Sequence, residues 1–171
     1  VKTSNEIFIA DHVVLAAGGW SEEIAKWLGY KIPLFWERGY HMHLEPSDAP
    51  VLNRTINDVD GGFIMAPMEQ GVRITSGVEI TSRDAKPNYT QIHECVRRAR
   101  EVYEMKDEID EIPWMGRRPT LIDSLPIIGP APNHSGLWFN FGHQHLGLSM
   151  APGSADLIAS FINNKSPDNK S

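Results

Sequence analysis

The chain has 171 residues with 16 Lys and Arg against 22 Asp and Glu, a formal net charge of -6 with histidine neutral, and 41% hydrophobic residues. That is one domain or two small ones with enough apolar material to bury a core, which excludes disorder. The acidic balance without a Lys/Arg run argues against nucleic acid as a partner, because that affinity comes mostly from phosphate neutralisation, and no apolar run approaches the roughly 20 residues that span a bilayer. No basic-then-apolar leader opens the sequence, so it reads as soluble and unexported. The single cysteine, Cys95, cannot form an internal disulfide, and N-x-S/T matches such as Asn53-Arg54-Thr55 are then chance. The first residue is Val1 rather than Met, and Glu6 to Ala17 reads as one extended segment feeding another, which suits a processed or truncated product.

In chain order, His12–Ala17 is a short apolar run ending in Gly18-Gly19, the pattern of a parallel-sheet strand buried on both faces. Ser21 is placed to cap a helix over Glu22–Leu28, with acidic residues in its first turn and Gly29 as its stop. From Ile32 the texture changes. Leu34–Leu44, Gly62–Pro67 and Val72–Ile80 predict antiparallel strands, with Glu69-Gln70-Gly71 as a hairpin turn. Asn88 caps a helix running to about Met105, with Ile92, Val96, Ala99 and Tyr103 on one face and Arg97, Arg98 and Arg100 on a solvated one. Ile109–Met115 predicts a further strand and Leu137–Phe141 a short aromatic one, while Gly116–Pro130 is too apolar for a linker and too proline-rich for a helix. Pro152–Ile162 reads as a closing helix and Asn163–Ser171 as a flexible polar tail.

Four local patterns bear on chemistry. Gly18-Gly19 lets a cofactor approach the backbone at the carboxyl end of a strand, or is only a tight turn. Gly142 and Gly147 have P-loop spacing but Leu148 stands where the lysine belongs, and Gly147-Leu-Ser-Met-Ala151 misses the G-x-S-x-G elbow and has no histidine after Ser149. His41/His43 and His143/His145 offer paired imidazoles for a metal, yet no carboxylate or thiolate pattern completes a site, so polar cavity lining is the better account. Arg117 or Arg118, between Gly116 and Pro119, can present a guanidinium fork to a carboxylate or can be an ordinary surface arginine.

Six segments in order resemble the C-terminal part of the FAD-dependent D-amino-acid dehydrogenase, glycine oxidase and sarcosine oxidase family, with the bacterial D-amino-acid dehydrogenases the nearest likeness. They are Ala10–Ser21, Glu37-Arg-Gly-Tyr-His41, Gly62-Phe-Ile-Met-Ala-Pro67 with the strand to Glu79, Gly116-Arg-Arg-Pro119, Asp123-Ser-Leu-Pro-Ile-Ile-Gly129, and Phe141-Gly-His-Gln-His-Leu-Gly-Leu148. The resemblance implies an α+β or α/β fold: a mixed antiparallel-sheet substrate domain over 31–116 with flanking helices, and C-terminal remnants of a Rossmann-like FAD-binding domain at 1–30 and 117–162. It implies FAD as cofactor, with Gly18, Gly19, Gly129 and the turn Gly142, His143, Gln144, His145, Leu146, Gly147 and Leu148 as its neighbours. It also implies hydride transfer from an amino acid or amine, the substrate carboxylate held by Arg118, and Tyr40, Phe63 and His145 as pocket candidates. The family's opening G-x-G-x-x-G, which carries the FAD pyrophosphate, does not occur in these 171 residues. The implied partners are a small-molecule substrate and either a missing N-terminal half or a second copy of the chain, and the implied location is cytoplasmic, including the inner face of the membrane. A second reading is a non-catalytic binding or interaction module derived from such an enzyme.

Overall fold

The structure is a computed structural model describing residues 1–48 and 51–163. Its elements are β1 (Val13–Leu15), a single 3-10 turn (Gly18–Trp20), α1 (Ser21–Trp27), β2 (Leu34–Pro46), β3 (Ile56–Asp58), β4 (Phe63–Met68), β5 (Gly71–Thr81), α2 (Thr90–Val102), β6 (Met105–Glu108), β7 (Trp114–Leu121), β8 (Ile127–Pro130), β9 (Leu137–Phe141) and α3 (Gly147–Ile162). The chain divides into two compact units, Val1–Phe35 with the chain from Pro119 onward, and Trp36–Arg118.

In the unit formed by the two ends of the chain, β9 is the central strand of three. It pairs in parallel with β1, Val13 opposite Leu137, and antiparallel with β8, Ile127 opposite Phe141. Leu15, Ala25, Tyr30, Ala131, Phe139 and Phe141 form its core. The sequence pattern predicts a strand at β1 covered on both faces, but Val14 is 40% exposed. Among the described residues β1 lies at the edge of its sheet, with Leu15 buried and Val14 on the open side. Ser21 begins α1 instead of capping it, with its hydroxyl buried and unpartnered. Gly29, at φ +86, closes that helix as expected.

The contiguous unit is built on one antiparallel sheet in the order β3-β4-β5-β2-β6, with β7 also pairing with β2. Strand alternation sends Tyr40, Met42 and Leu44 of β2, Phe63 and Met65 of β4, and Val72 and Ile74 of β5 to one face. There they pack against Ile92, Cys95, Val96 and Ala99 of α2. The outer side of α2 is the expected solvated face, where Glu94 receives both Arg97 and Arg98. Asn88 supports the helix start through its Oδ1, which accepts the Thr90 amide at 3.1 Å.

Three elements differ from expectation. Of the strand expected over Ile109–Met115 only Trp114 and Met115 are strand, in β7: β6 has ended at Glu108, and between them the chain turns out of the sheet around Asp110, whose carboxylate takes the His43 amide, and reaches Pro113, which has no N–H for a ladder. The segment from Gly116 is a continuation of β7. The closing helix starts at Gly147 rather than Pro152, so the proline lies inside it. The tail expected after Asn163 lies outside the described residues.

Candidate active site

Strand β2 divides the contiguous unit's sheet into two environments. Tyr40 points into the helix-side core, where its hydroxyl donates to Glu79, and Arg38 on the same side is fully buried. The Arg38 guanidinium donates to the carbonyls of Ala85 (2.7 Å) and Lys86 (3.3 Å), and its Nε lies 3.2 Å from the Glu79 carboxylate. Burial, followed by the hydrogen bond to Glu79, raises the Tyr40 phenol above its ordinary value. Phe63 is equally buried. Tyr40 and Phe63, the pocket candidates that the resemblance implies, both lie in the hydrophobic core on the helix side. Phe63's neighbour Ile64, 41% exposed, lies on the other face.

That other face carries Gly39, His41 and His43. Arg118 of β7 lays its guanidinium on Gly39, where an added methyl group would sit 2.7 Å from Nη1 and 2.8 Å from Cζ. One turn of the pleat along β7, the Trp114 indole covers Gly116, which likewise has no room for a methyl group, and stacks on His41 with ring centroids 4.6 Å apart. His41 meets His43 edge to face, and His43 is anchored to Asp110 through its amide (2.7 Å) and its Nδ1 (3.0 Å). Burial, then the charges of His43 and Arg73, hold His41 below its ordinary value, so it is a neutral imidazole at pH 7. Burial opposes ionisation of Asp110, but its bonds from His43 outweigh this and keep the carboxyl below its ordinary value. Across the sheet, Thr75 pairs with both His41 and Ile64, while Arg73 pairs with His43 and Ala66. Trp114, Ile64, Thr75 and Arg73 are residues that sequence reasoning missed; strand register places Ile64, Thr75 and Arg73 on this face, and stacking on His41 places Trp114 there. Arg117, the other arginine of its motif, is exposed and donates to the Arg83 carbonyl at 2.8 Å.

In the unit formed by the chain ends, Gly142 leaves β9 at φ +86, buried against Leu121, and Gln144 follows at φ +53. The turn is held by three bonds: Gln144 N to Pro119 O (3.2 Å), Leu146 N to His143 O (3.0 Å), and His143 Nε2 with Ser154 Oγ (2.9 Å). Burial lowers the His143 pKa. His145, Leu146 and Leu148 are exposed, while Gln144 keeps a buried Nε2 without a partner. The turn opens α3, whose N-terminus has no side-chain cap and no acidic residue in its first turn. Gly18 is exposed at φ +55, Gly19 is buried, and Gly129 is buried at φ +150. Because His143 and His145 lie in a turn, they do not project together as strand residues would.

A family profile described as "FAD dependent oxidoreductase" matches residues 1–161. The chain belongs to this family. Among curated relatives it is 33% identical to a glycine oxidase of Pseudomonas aeruginosa over 98% of this chain and 46% of that one. It is 30% identical to D-amino acid dehydrogenase 2 of the same organism, over 98% of this chain and 40% of that one. The solved glycine oxidase of Geobacillus kaustophilus superposes with a TM-score of 0.76 at 21% identity, covering 94% of this chain and 44% of that structure. The chain thus spans less than half the length of these relatives. No helix among the described residues is long and apolar enough to cross a membrane.

FAD is the family's cofactor, and the turn at Gly142–Gly147 fits its electron-rich edge. The turn offers an unpartnered buried amide in Gln144 and uncapped N–H groups at the positive end of a four-turn helix. No competing carboxylate stands in that first turn.

Proposed function

We propose that this chain is the substrate-binding part and closing flavin-binding part of an FAD-dependent oxidoreductase that oxidises the Cα–N bond of a D-amino acid or related secondary amine. The observation that carries this reading is the Arg118 guanidinium held against Gly39. A planar fork held against the sheet is the geometry that recognises a carboxylate through two parallel hydrogen bonds, and it orients the rest of the substrate from that point. Bound FAD supplies the acceptor for the hydride leaving Cα. The chain's own residues hold the carboxylate at Arg118, present a neutral His41 and the Trp114 indole on the same face, and offer the α3 N-terminus to negative charge that develops on the cofactor. His145 and Gly18, Gly19 and Gly129 remain candidate neighbours of substrate and cofactor in this proposal.

Alone, the chain is not a working holoenzyme in this reading, because the pyrophosphate-binding turn is supplied by another segment. The test is co-expression with a family N-terminal half carrying G-x-G-x-x-G. The flavin-loaded complex is expected to reduce a dye in the presence of amino acids, and Arg118→Ala is expected to raise KM and lower kcat together. A flavin-loaded complex without amino-acid-dependent reduction overturns the proposal. Isolated chain that purifies with near-stoichiometric flavin overturns the claim about the chain alone.

A second reading, an interaction module derived from such an enzyme, is favoured by the apolar residues left open on the chain-end unit: Trp20 (70% exposed), Trp27 (74%), Ile122 (80%) and Leu148 (92%). Self-association is then expected in light scattering, and a clean monomer argues against it.

A further inference from the structure

We infer that Arg73 is a second anion-binding group on the sheet face that carries Arg118, and that the substrate is an amino or imino acid with a second carboxylate. This rests on Arg118 being the anchor of the first carboxylate.

Arg73 lies between Val72 and Ile74, both buried on the helix side of β5, so alternation sends its side chain to the face of Gly39, His41 and His43. Its cross-strand neighbours are His43 on β2 and Ala66 on β4, neither of which is negative. Among the described residues it has no ion-pair or hydrogen-bond partner, and its Nε is buried and unsatisfied. A half-buried guanidinium with an unmet donor is costly to keep, and an anion supplied from outside the chain removes that cost. The carboxylate of the neighbouring histidine cluster does not serve, since Asp110 is taken by the amide and ring of His43.

The spacing suits a small dicarboxylate. Gly39, under the Arg118 guanidinium, and His43, opposite Arg73, are four residues apart on β2, about 13 Å at the rise of an extended strand. Arg118 is held at Gly39 and Arg73 reaches from the position opposite His43, so a small molecule with a carboxylate at each end meets both forks. The residues between these positions suit it as well. His41 is uncharged, so it can hydrogen-bond without adding a third positive charge, and Thr75 contributes a hydroxyl. A substrate with a purely apolar side chain would leave Arg73 as unsatisfied as it is now.

The test is titration of the full chain with D-alanine, D-aspartate and D-glutamate, following the arginine Nε–Hε resonances by NMR. All three ligands are expected to shift Arg118, and only the two dicarboxylates to shift Arg73, binding tighter than alanine by about tenfold or more. Arg73→Gln is expected to remove that preference while leaving alanine binding unchanged, and Arg73→Lys to keep part of it. Shifts at Arg118 without shifts at Arg73, or equal loss of all three ligands in Arg73→Gln, overturn this inference alone. No shift at Arg118 with any ligand overturns the carboxylate anchor and this inference with it.

Discussion

Gly39 supplies the space that the Arg118 guanidinium occupies: a methyl group there would lie 2.8 Å from the arginine Cζ. The obstructed atoms are the far end of a flexible side chain, and the glycine is not among those with left-handed backbone. Gly39→Ala therefore displaces the guanidinium and leaves the strand intact. The expected result is a loss of carboxylate affinity of about tenfold or more, with stability unchanged or raised by up to roughly 0.5 kcal/mol. Ligand titration beside a denaturant melt separates the two effects; a variant that binds normally shows that the fork tolerates displacement.

Arg38 and Glu79 make the opposite prediction. Arg38 is fully buried, and among the described residues Glu79 supplies its one carboxylate partner as well as the acceptor for Tyr40. Glu79→Ala leaves a buried guanidinium held by two backbone carbonyls alone. The expected cost is about 3 kcal/mol, the lower end of what removing one partner of a buried pair costs. Chemical denaturation reads it, and a loss under roughly 1 kcal/mol would show that the carbonyls suffice.

The pH dependence of stability has two windows of the same sign. His41, by burial first and then by the charges of His43 and Arg73, and His143, by burial, are held below the ordinary histidine value of 6.5. The unfolded chain therefore takes up protons more readily, and the stability that comes from keeping these rings neutral is present above pH 6.5 and lost as pH falls through and below it. Asp110 is held below the ordinary carboxylate value of 3.8, so its contribution is present above that value and lost at still lower pH. Urea midpoints are expected to fall between about pH 7.5 and about pH 5.5, and to fall less in His41→Gln. An unchanged drop in that variant would remove His41 from the account.

Gly142 combines φ +86 with a close approach to Leu121, where an added methyl group would lie 2.9 Å from Cδ1. Gly142→Ala is expected to cost about 1 to 2 kcal/mol from the backbone alone. It is also expected to weaken flavin retention in the reconstituted complex, because the turn it strains opens α3. Thermal melts and the flavin-to-protein absorbance ratio check the two parts. A variant with full flavin content and an unchanged melt would show that the turn relaxes freely.

Much of the contiguous unit was legible in the sequence because its strands alternate cleanly: Val72 and Ile74 are inward, and the turn at Glu69-Gln70 is where the pattern puts it, with Met68 opposite Gly71. Alternation alone does not decide the face of Phe63. Two adjacent apolar residues, Phe63 and Ile64, fit either register, and pairing to β5 shows which lies on the face of Thr75 and which packs with α2. The Gly-x-Arg-Pro resemblance singles out Arg118, but nothing in the sequence points to Gly39 beneath it, since no periodicity reports a side chain resting on a distant strand. Arg73 was invisible for the same reason: one arginine among apolar residues on a strand reads as solvent-facing until its neighbours are known. The helix at Gly147 was placed late because Pro152 looks like a first-turn residue, whereas the structure tolerates it one and a half turns in.

The two units differ in when their partners become available. Residues 36–118 are contiguous, and their sheet needs nothing from elsewhere in the chain, whereas β1 pairs with a β9 that lies near the far end of the sequence. During synthesis the sheet bearing Arg118 and Arg73 can close while β9 is still unmade, and loop closure of the other unit comes after it.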